Sequence, residues 1–309
     1  MKTALLFSGQ GAQAVGMGKD LAAAYPVAAD LFSKADGILG YSLSRIAFEG
    51  PQEELTKTSI CQPALYVHGL AALAVLKEKV PTLSLDAAAG LSLGEFTAHS
   101  AAGTFDFETG LRLVDQRSRF MQEACDATEG GMAAIIGADE QGVRDLAAAA
   151  DVDVANFNSP GQIVISGEKS KIALAVGMAK EFGARKAVEL TVAGAFHSRL
   201  MESAYQRLGA VLEKTPVAMP SVPVVGNVDA LPAGSPDAIR RSLADQVTGS
   251  VRWTSSIEYM IDHLHITRFL ELGPGGVIAG LVGRIRKGTE VISISDAASL
   301  EAALPLLQG

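Results

Sequence analysis

A serine lies on a predicted sharp turn between an apolar run and a helix-like run, and this turn restricts the possible folds strongly. Ser92 lies within residues 90–95, with a glycine two residues before it and another two residues after it. Residues 82–89 predict a buried strand, and residues 93–103 predict a short alanine-rich helix. Such glycines let helix and strand pack closely, and the turn exposes the hydroxyl at the positive end of the helix. The pattern predicts a nucleophile elbow; a tight turn with a bystander serine is the alternative.

Composition indicates a globular protein and excludes several functional classes. The chain has 309 residues, of which 48% are hydrophobic and 19% charged, so it can bury a sizeable core. Its net charge of −8 argues against a nucleic-acid binder, which needs a basic surface. Cys61 and Cys125 are too few and too separate for a disulfide framework or a metal site. With no apolar run judged long enough to span a bilayer, we expect a cytoplasmic protein without a membrane partner.

Strand-like and helix-like segments alternate along the chain, which predicts the α/β class with helices on the faces of a sheet. The first strand is expected at Thr3–Phe7. Helical stretches are expected at residues 17–50, at residues 62–79 beginning with Gln62-Pro63-Ala64, and at residues 106–125. Later strands are expected at residues 222–225 and 267–272.

Residues 131–192 follow a rhythm of their own, with the predicted order β-α-β-β-α-β. A turn signal at residues 158–161 separates the two central strands, and the last strand is expected at residues 185–192. This order is typical of the ferredoxin-like unit. We therefore predict a small ferredoxin-like subdomain at residues 126–196, inserted into a larger body formed by residues 1–125 and 197–309.

A serine hydroxyl needs a base, and His197 is the best candidate among five histidines. It lies in a loop between the last strand of the predicted insert and a following helix, where catalytic groups are common. A hydrogen-bonded loop histidine without a catalytic role is the alternative. His99 lies two turns along the elbow helix, too far from Ser92 for a direct hydrogen bond. Structural roles are assigned to His68, His263 and His265.

Arg117 carries a separate signal, because it falls in the middle of an apolar arc on the helix predicted at residues 106–125. The arc consists of Leu113, Val114, Phe120, Met121 and Ala124. An arginine there is costly unless an anion pairs with it. The sequence leaves two interpretations open, which are a buried salt bridge to an acid of this protein and a bidentate clamp for a substrate carboxylate.

The segment Gly9-Gln10-Gly11-Ala12-Gln13-Ala14 formally matches the dinucleotide fingerprint G-x-G-x-x-A after a strand. No second strand is expected within about the next 30 residues, so the βαβ unit that the fingerprint requires is missing. We expect instead that this loop brings backbone N–H groups near the elbow, where they join the Leu93 N–H in an oxyanion hole.

These residues together resemble the malonyl-CoA:acyl-carrier-protein transacylases and the related polyketide acyltransferase domains, over essentially the whole chain. The matching segments are Phe7-Ser8-Gly9-Gln10-Gly11-Ala12-Gln13, Gln62-Pro63-Ala64-Leu65, Gly90-Leu91-Ser92-Leu93-Gly94-Glu95, Arg117, Asn156-Phe157-Asn158-Ser159-Pro160-Gly161-Gln162, Ala195-Phe196-His197-Ser198, Asn227-Val228-Asp229 and Gly273-Pro274-Gly275. The resemblance implies an α/β-hydrolase-like body with a mostly parallel sheet and a ferredoxin-like insert.

The resemblance also implies a ping-pong transfer for fatty acid biosynthesis. Ser92 attacks the thioester of malonyl-CoA with His197 as general base, and a phosphopantetheine thiol on an acyl carrier protein then takes the malonyl group. Arg117 pairs with the free carboxylate of malonate. The substrates implied are malonyl-CoA and an acidic carrier protein that docks transiently, with no tightly bound cofactor, no metal and a monomeric enzyme.

Three further residues receive roles from the resemblance alone. The backbone N–H groups of Gln10 and Leu93 would hold the oxyanion, and the backbone carbonyl of Gln246 would orient His197. Leu91 departs from the family pattern, which usually has histidine before the nucleophile, and this removes a polar neighbour of the acyl pocket. The stretch Ala195-Phe196-His197-Ser198 is similar to the malonyl-selective version in polyketide acyltransferases.

Other functions remain open on the sequence. A stand-alone acyltransferase serving a polyketide synthase would carry the same residues. A serine hydrolase acting on acyl thioesters would share Ser92 and His197, but Arg117 argues against a lipase-like site. A homologue that binds the carrier protein without catalysis is a third alternative.

Overall fold

A computed structural model describes residues 1–308, and its strands form two separate sheets. In chain order the strands are β1 (Thr3–Phe7), β2 (Ala87–Gly90), β3 (Gly130–Ile136), β4 (Asp153–Ser159), β5 (Gln162–Glu168), β6 (Lys186–Glu189), β7 (Val224–Val225), β8 (Arg268–Leu272) and β9 (Glu290–Ile294). The α-helices are α1 (Lys19–Ala24), α2 (Pro26–Leu39), α3 (Leu43–Glu49), α4 (Gln52–Thr56), α5 (Thr58–Lys79), α6 (Leu93–Ala101), α7 (Phe107–Asp126), α8 (Glu140–Ala150), α9 (Lys169–Met178), α10 (Glu202–Lys214), α11 (Pro236–Asp245), α12 (Trp253–Asp262), α13 (Val277–Ile285) and α14 (Ala297–Leu307).

The larger sheet is parallel throughout, with strand order β7-β2-β1-β8-β9. Every residue of β1 is buried, since helices cover both faces of the sheet. Leu5 and Phe7 belong to one hydrophobic core, whereas Ala4 and Leu6 belong to the core on the opposite face. This alternation follows from the two-residue period of a strand. The predicted α/β class with a parallel sheet is confirmed.

The smaller sheet is antiparallel, with strand order β4-β5-β3-β6. Its elements follow one another as β3-α8-β4-β5-α9-β6, the ferredoxin-like order expected from the sequence. It has its own hydrophobic core, which includes Ile135, Leu146 and Ile165. The boundaries of the two subdomains stay a prediction.

Several predicted elements differ from those in the structure. The strand expected at residues 82–89 begins only at Ala87, because turns and irregular backbone occupy the preceding residues. The strand expected at residues 185–192 is limited to β6. No prediction covered β9, which pairs with β8 at the edge of the parallel sheet.

The helix expected to start at Gln62 begins four residues earlier, at Thr58, so Pro63 lies inside α5. Proline has no N–H to donate to the carbonyl four residues before it, which here belongs to Ser59. The hydroxyl of Ser118 on α7 lies 3.5 Å from that carbonyl, but it donates its one hydrogen to the Asp115 carbonyl at 2.8 Å. The helix continues through Pro63 while packed against α2 and α7.

Helix α5 also corrects the expectation that no apolar run is long enough to span a bilayer. This helix has 22 residues and is long and apolar enough to cross a membrane. However, 83% of its most apolar part is buried inside the structure, where it packs against helices such as α2 and α7. This burial is typical of the core helix of a globular protein.

The turn before α6 depends on two glycines. A Cβ atom on Gly94 would lie 2.2 Å from the carbonyl oxygen of Phe7 in β1. A Cβ atom on Gly90 would lie 2.0 Å from the backbone of Gly94. No side chain fits at either position, so α6 packs directly on the parallel sheet and places Ser92 at the end of β2.

This packing predicts that Gly90→Ala will destabilise the protein, whereas Gly37→Ala will not. The new methyl group at position 90 has no space, and overpacking of this kind costs about 1–3 kcal/mol or more. Gly37 is exposed within α2, and a Cβ atom there would meet no other atom within 4 Å, so alanine should stabilise by up to about 1 kcal/mol. Urea unfolding followed by circular dichroism measures both changes. Equal stabilities of the two variants would contradict the close-packed turn.

Candidate active site

The backbone of Ser92 has an unusual conformation that three hydrogen bonds hold in place. Its φ of 54° and ψ of −107° are rare for a residue with a side chain and cost about 1–3 kcal/mol. The Ser92 N–H donates to Asn227 Oδ1 at 2.7 Å, and Asn227 Nδ2 donates to the Gly90 carbonyl at 2.8 Å. The Ser92 carbonyl accepts from Gln246 Nε2 at 2.9 Å. The elbow predicted from sequence is thus a strained turn that distant side chains stabilise.

Ser92 and His197 form a direct hydrogen bond, with 2.8 Å between Oγ and Nε2. On its other side, His197 Nδ1 lies 2.8 Å from the backbone carbonyl of Gln246. A carbonyl can only accept, so Nδ1 carries the proton and Nε2 is the acceptor. The Ser92 hydroxyl therefore donates to Nε2, which is the arrangement a general base requires.

Burial keeps the His197 imidazole neutral. The side chain is 4% exposed, and burial together with the nearby Arg117 charge lowers its pKa to about 4. An ordinary histidine has a pKa of about 6.5, so a large fraction of such side chains is protonated at mildly acidic pH. His197 therefore remains able to accept a proton over the whole physiological range.

The guanidinium of Arg117 lies directly beside the nucleophile, with 3.1 Å between Nη2 and Ser92 Oγ. Gln62 Oε1 accepts from Nη1 at 2.6 Å, and Gln246 Oε1 accepts from Nη2 at 2.8 Å. The residue is 1% exposed, and its Nε–H has no acceptor in the described chain. Burial lowers the pKa of Arg117 to about 10, so it is still charged at neutral pH.

Neither sequence-based interpretation of Arg117 had predicted these amide partners. No carboxylate among residues 1–308 lies within 4 Å of its guanidinium, so the buried salt bridge is absent from that part of the chain. The nearest acid acting on it is Glu95, which is separated from it by the side chain of Gln246. The buried cation is thus held by two neutral amides and the Ser92 hydroxyl, with no carboxylate in contact with it.

The residues proposed for the oxyanion hole lie at the same place. Gln10 and Leu93 both line the cleft that contains Ser92 and His197. Leu93 is the first residue of α6, where backbone N–H groups have no acceptor within the helix. A Cβ atom on Gly9 would lie 2.4 Å from the Leu91 carbonyl, so the loop before Gln10 packs directly on the elbow.

The cleft has a volume of about 510 Å³ and lies between the two sheets. Ser92 and Leu91 lie on the turn that follows β2 of the parallel sheet. The smaller sheet contributes Met132, Asn156 and Val164. Most of its exposed lining surface is apolar, and polar side chains such as Gln10, Ser92 and His197 are placed among the apolar ones, as is typical of small-molecule sites. Leu91 contributes an apolar wall where the resembled family usually has histidine.

The structure brings together all the residues that the sequence singled out for the site. It also adds three whose roles the sequence did not reveal, which are Gln62, Glu95 and Asn227. Each belongs to a motif that the resemblance matched, but its partner is far away in the chain; Asn227 is 135 residues from Ser92. The remaining histidines make other contacts. His68 Nε2 lies 3.0 Å from the Ser295 carbonyl, and His99 Nδ1 lies 2.9 Å from Thr104 Oγ1.

Comparison with known proteins agrees with this geometry. The family model described as acyl transferase domain matches residues 4–263. The chain belongs to the acyl transferase domain family. It is 40% identical over 305 residues to the malonyl CoA-acyl carrier protein transacylase of Haemophilus influenzae (strain Rd), covering 97% of each chain. The resemblance noted in the sequence is therefore confirmed.

The names of two further similar proteins refer to polyketide biosynthesis or a polyketide synthase. The chain is 41% identical over 292 residues to the polyketide biosynthesis malonyl CoA-acyl carrier protein transacylase PksC of Bacillus subtilis (strain 168), covering 93% of this chain and 98% of that protein. A solved holo complex of a type II PKS acyl-carrier protein with its malonyl-transacylase matches with a TM-score of 0.93 and 40% identity. That match covers 99% of this chain and 100% of the other.

The neutral, buried base predicts how the reactivity of Ser92 depends on pH. The rate of labelling by an uncharged fluorophosphonate should be nearly constant between pH 5.5 and 8, because His197, with its pKa lowered to about 4, stays unprotonated there. The rate is measured by quenching the labelling reaction at set times and determining the labelled fraction by intact mass spectrometry. The His197→Ala variant should react much more slowly than the wild type at every pH. A rate that halves near pH 6.5 would mean an unperturbed base and contradict this description.

Proposed function

We propose that this protein transfers the malonyl group from malonyl-CoA to the phosphopantetheine thiol of an acyl carrier protein through a malonyl ester of Ser92, for fatty acid biosynthesis. The family is that of acyl transferases, and relatives of nearly equal length are named malonyl CoA-acyl carrier protein transacylases. The chemistry rests on the residues of the cleft.

The single observation that carries the choice of substrate is the buried Arg117 without a carboxylate partner, 3.1 Å from the nucleophile. A guanidinium presents a rigid fork that matches a carboxylate, and the low local dielectric strengthens the pair. Its unpartnered Nε–H and the Nη2 group aimed at Ser92 supply donors near the acyl group. An acyl group ending in a carboxylate fits this arrangement, whereas acetyl leaves the cation unpaired.

In the first half-reaction, His197 Nε2 takes the proton of Ser92 as Oγ attacks the thioester carbonyl. The negative charge that develops on the carbonyl oxygen is stabilised by the N–H groups of Gln10 and Leu93. The imidazolium then returns its proton to the sulfur of CoA, which leaves as a thiol. A malonyl ester of Ser92 remains, with its carboxylate on Arg117.

In the second half-reaction, the carrier-protein thiol enters the same cleft and gives its proton to His197. The thiolate attacks the ester carbonyl, and the proton returns to Ser92 Oγ as the malonyl thioester leaves. The Gln246 carbonyl maintains the required tautomer throughout, since it accepts from Nδ1 in both steps. A carboxylate partner for the histidine is therefore unnecessary.

A stand-alone acyltransferase serving a polyketide synthase is the second candidate. It is favoured by PksC and by the malonyl-transacylase in complex with a type II PKS carrier protein, which are 41% and 40% identical to this chain, compared with 40% for the Haemophilus influenzae enzyme. Both candidates share the malonyl-serine chemistry. The cytoplasmic location, the monomeric state and the two-subdomain division are further proposals that rest on the sequence.

The proposal predicts one malonyl adduct on Ser92 when the protein is mixed with malonyl-CoA. Intact mass spectrometry should show it in the wild type and not in Ser92→Ala, and addition of holo acyl carrier protein should move the malonyl group to the carrier thiol. Because the cleft is largely apolar and the ester is held by Arg117, release to water should be slow by comparison.

The alternatives give different results in the same assay. Rapid release of free malonate without transfer to the carrier thiol would show a thioester hydrolase. Binding of carrier protein without any adduct on Ser92 would show a non-catalytic homologue. Either result would refute the proposed transfer.

A further inference from the structure

Glu95 is an ionisable residue of the site to which the proposed reaction gives no role. Ser92 and Glu95 have the spacing of a capping box, in which the two side chains would satisfy N–H groups of the first turn of α6. Neither does so. Ser92 makes no side-chain cap, its N–H donates to Asn227 Oδ1, and its hydroxyl bonds to His197. Glu95 Oε2 accepts from the Asn227 N–H at 3.1 Å and from Gln246 Nε2 at 2.6 Å.

The Glu95 carboxyl group is buried at a high cost. The residue is 0% exposed, and its Oε1 has no hydrogen-bond partner in the part of the chain that the structure describes. No basic side chain within residues 1–308 lies within salt-bridge distance of it. A helix-capping role would not require such burial, so a different reason is needed.

The amide of Gln246 connects Glu95 with Arg117. Its Nε2 donates to Glu95, and its Oε1 accepts from Arg117 Nη2 at 2.8 Å. A carboxylate can only accept and a guanidinium can only donate, so the amide has one orientation that satisfies both. The two charges are therefore linked through a single polarised group, and Glu95 is the counter-charge of Arg117 when the cleft contains no substrate.

A substrate carboxylate on Arg117 would be a second anion near the same cation. Two anions that share one cation in a dry site cannot both remain fully ionised without a large repulsion. We propose that Glu95 takes up a proton from solvent when the carboxylate of a malonyl thioester pairs with Arg117, an inference that rests on the proposed function. Glu95 is then a positioning residue that tunes selectivity for a charged acyl group through Gln246 and Arg117.

The environment of Glu95 suits such a response near neutral pH. Burial raises its pKa to about 7, against the hydrogen bonds from Gln246 and Asn227. Among charged groups, Arg117 on α7 lowers this pKa and Asp229, after β7, raises it. A substrate carboxylate beside Arg117 would therefore increase the fraction of Glu95 that is protonated.

The other buried ionisable side chains on the elements around α6 are neutral near pH 7. The charged residues of α5 and the remaining charged residues of α7 are exposed or half-buried, and they are Lys77, Glu78, Lys79, Glu108, Arg112, Asp115, Arg119, Glu123 and Asp126. Burial lowers the pKa of His197 to about 4 and that of His99 to about 3, and it also lowers the pKa of His68. On α5, burial raises the pKa of Cys61 to about 12 and also raises that of Tyr66. Strands β1, β2 and β7 carry no ionisable side chain.

Thermodynamic linkage gives the direction in which the binding of the malonyl thioester changes with pH. If malonyl binding raises the pKa of Glu95, the malonyl thioester binds best at a pH below the pKa of Glu95 in the free protein. Its binding then weakens as the pH rises from that pKa to the higher pKa in the complex. Acetyl thioesters bring no second anion, so their binding should not show this dependence. The ratio of malonyl to acetyl reactivity should therefore fall as the pH rises from 6 to 8.5, by roughly 5- to 10-fold for a coupling of about one pKa unit.

Isothermal titration calorimetry in two buffers of different ionisation enthalpy tests the proton uptake. Ser92→Ala protein, which cannot be acylated, is titrated with malonyl-CoA at pH 7.5, and acetyl-CoA is the control because it carries the same CoA phosphates. We expect malonyl-CoA to take up roughly half a proton more than acetyl-CoA. In Ser92→Ala/Glu95→Gln, the amide oxygen at position 95 can still accept from Asn227 and Gln246, and the difference should vanish.

Each result of this experiment is decisive. Equal proton uptake with both thioesters, or an undiminished difference in the Glu95→Gln protein, would overturn the role of Glu95 and leave the proposed transfer intact. Absence of malonyl-CoA binding, together with absence of an adduct in the wild type, would refute the proposed function itself. The pH dependence of Ser92 acylation by the two thioesters in the wild type tests the same claim without the variant, and a constant ratio would contradict it.

Discussion

The buried guanidinium of Arg117 is the interaction on which the rest of this site depends. A charge removed from water is tolerated only if other groups compensate for the lost hydration. Here the compensation comes from two glutamine side chains and from the nucleophile itself, with 2.6 to 3.1 Å between donor and acceptor. Neutral amides hold the cation in place, and the carboxyl group of Glu95 interacts with it only through Gln246. That difference separates an anion-binding site from a structural salt bridge.

Gln246 links the parts of the site to one another. Its backbone carbonyl orients His197, its Oε1 holds Arg117, and its Nε2 holds the carbonyl of Ser92. One residue at the end of α11 thus positions the base, the cation and the strained elbow. The same amide joins the carboxyl group of Glu95 to the network. Small displacements of Gln246 would consequently affect acylation, selectivity and the stability of the turn together.

The sequence predicted those features of the site that local rules determine. The glycines around Ser92 indicated the elbow because close helix–strand packing excludes a Cβ atom at both positions. The helical period indicated that Arg117 is buried, because its neighbours on α7 form an apolar arc. The alternating pattern of residues 131–192 indicated the ferredoxin-like order. By contrast, the roles assigned to Gln10, Leu93 and Gln246 came from the family resemblance.

Features that depend on distant contacts could not be predicted in this way. The helix α5 continues through Pro63 while packed against α2 and α7, and the start of β2 depends on neighbouring strands. Asn227 and Glu95 interact across 132 residues of chain, so no spacing rule connects them. The side chains of Ser92 and Glu95 form long-range bonds to His197, Asn227 and Gln246 and do not cap the first turn of α6.

The most direct test of the central claim is the discrimination between malonyl-CoA and acetyl-CoA after Arg117→Ala, measured as the rate of acylation of Ser92. Arg119→Ala is the matched control, since Arg119 lies on the same helix but is exposed and paired with Asp115. We predict that Arg117→Ala lowers malonyl transfer by about 100-fold and acetyl transfer far less, because a charge-assisted pair is lost only for malonyl. Arg119→Ala should change neither rate appreciably. Equal losses for the two thioesters in Arg117→Ala would contradict the account.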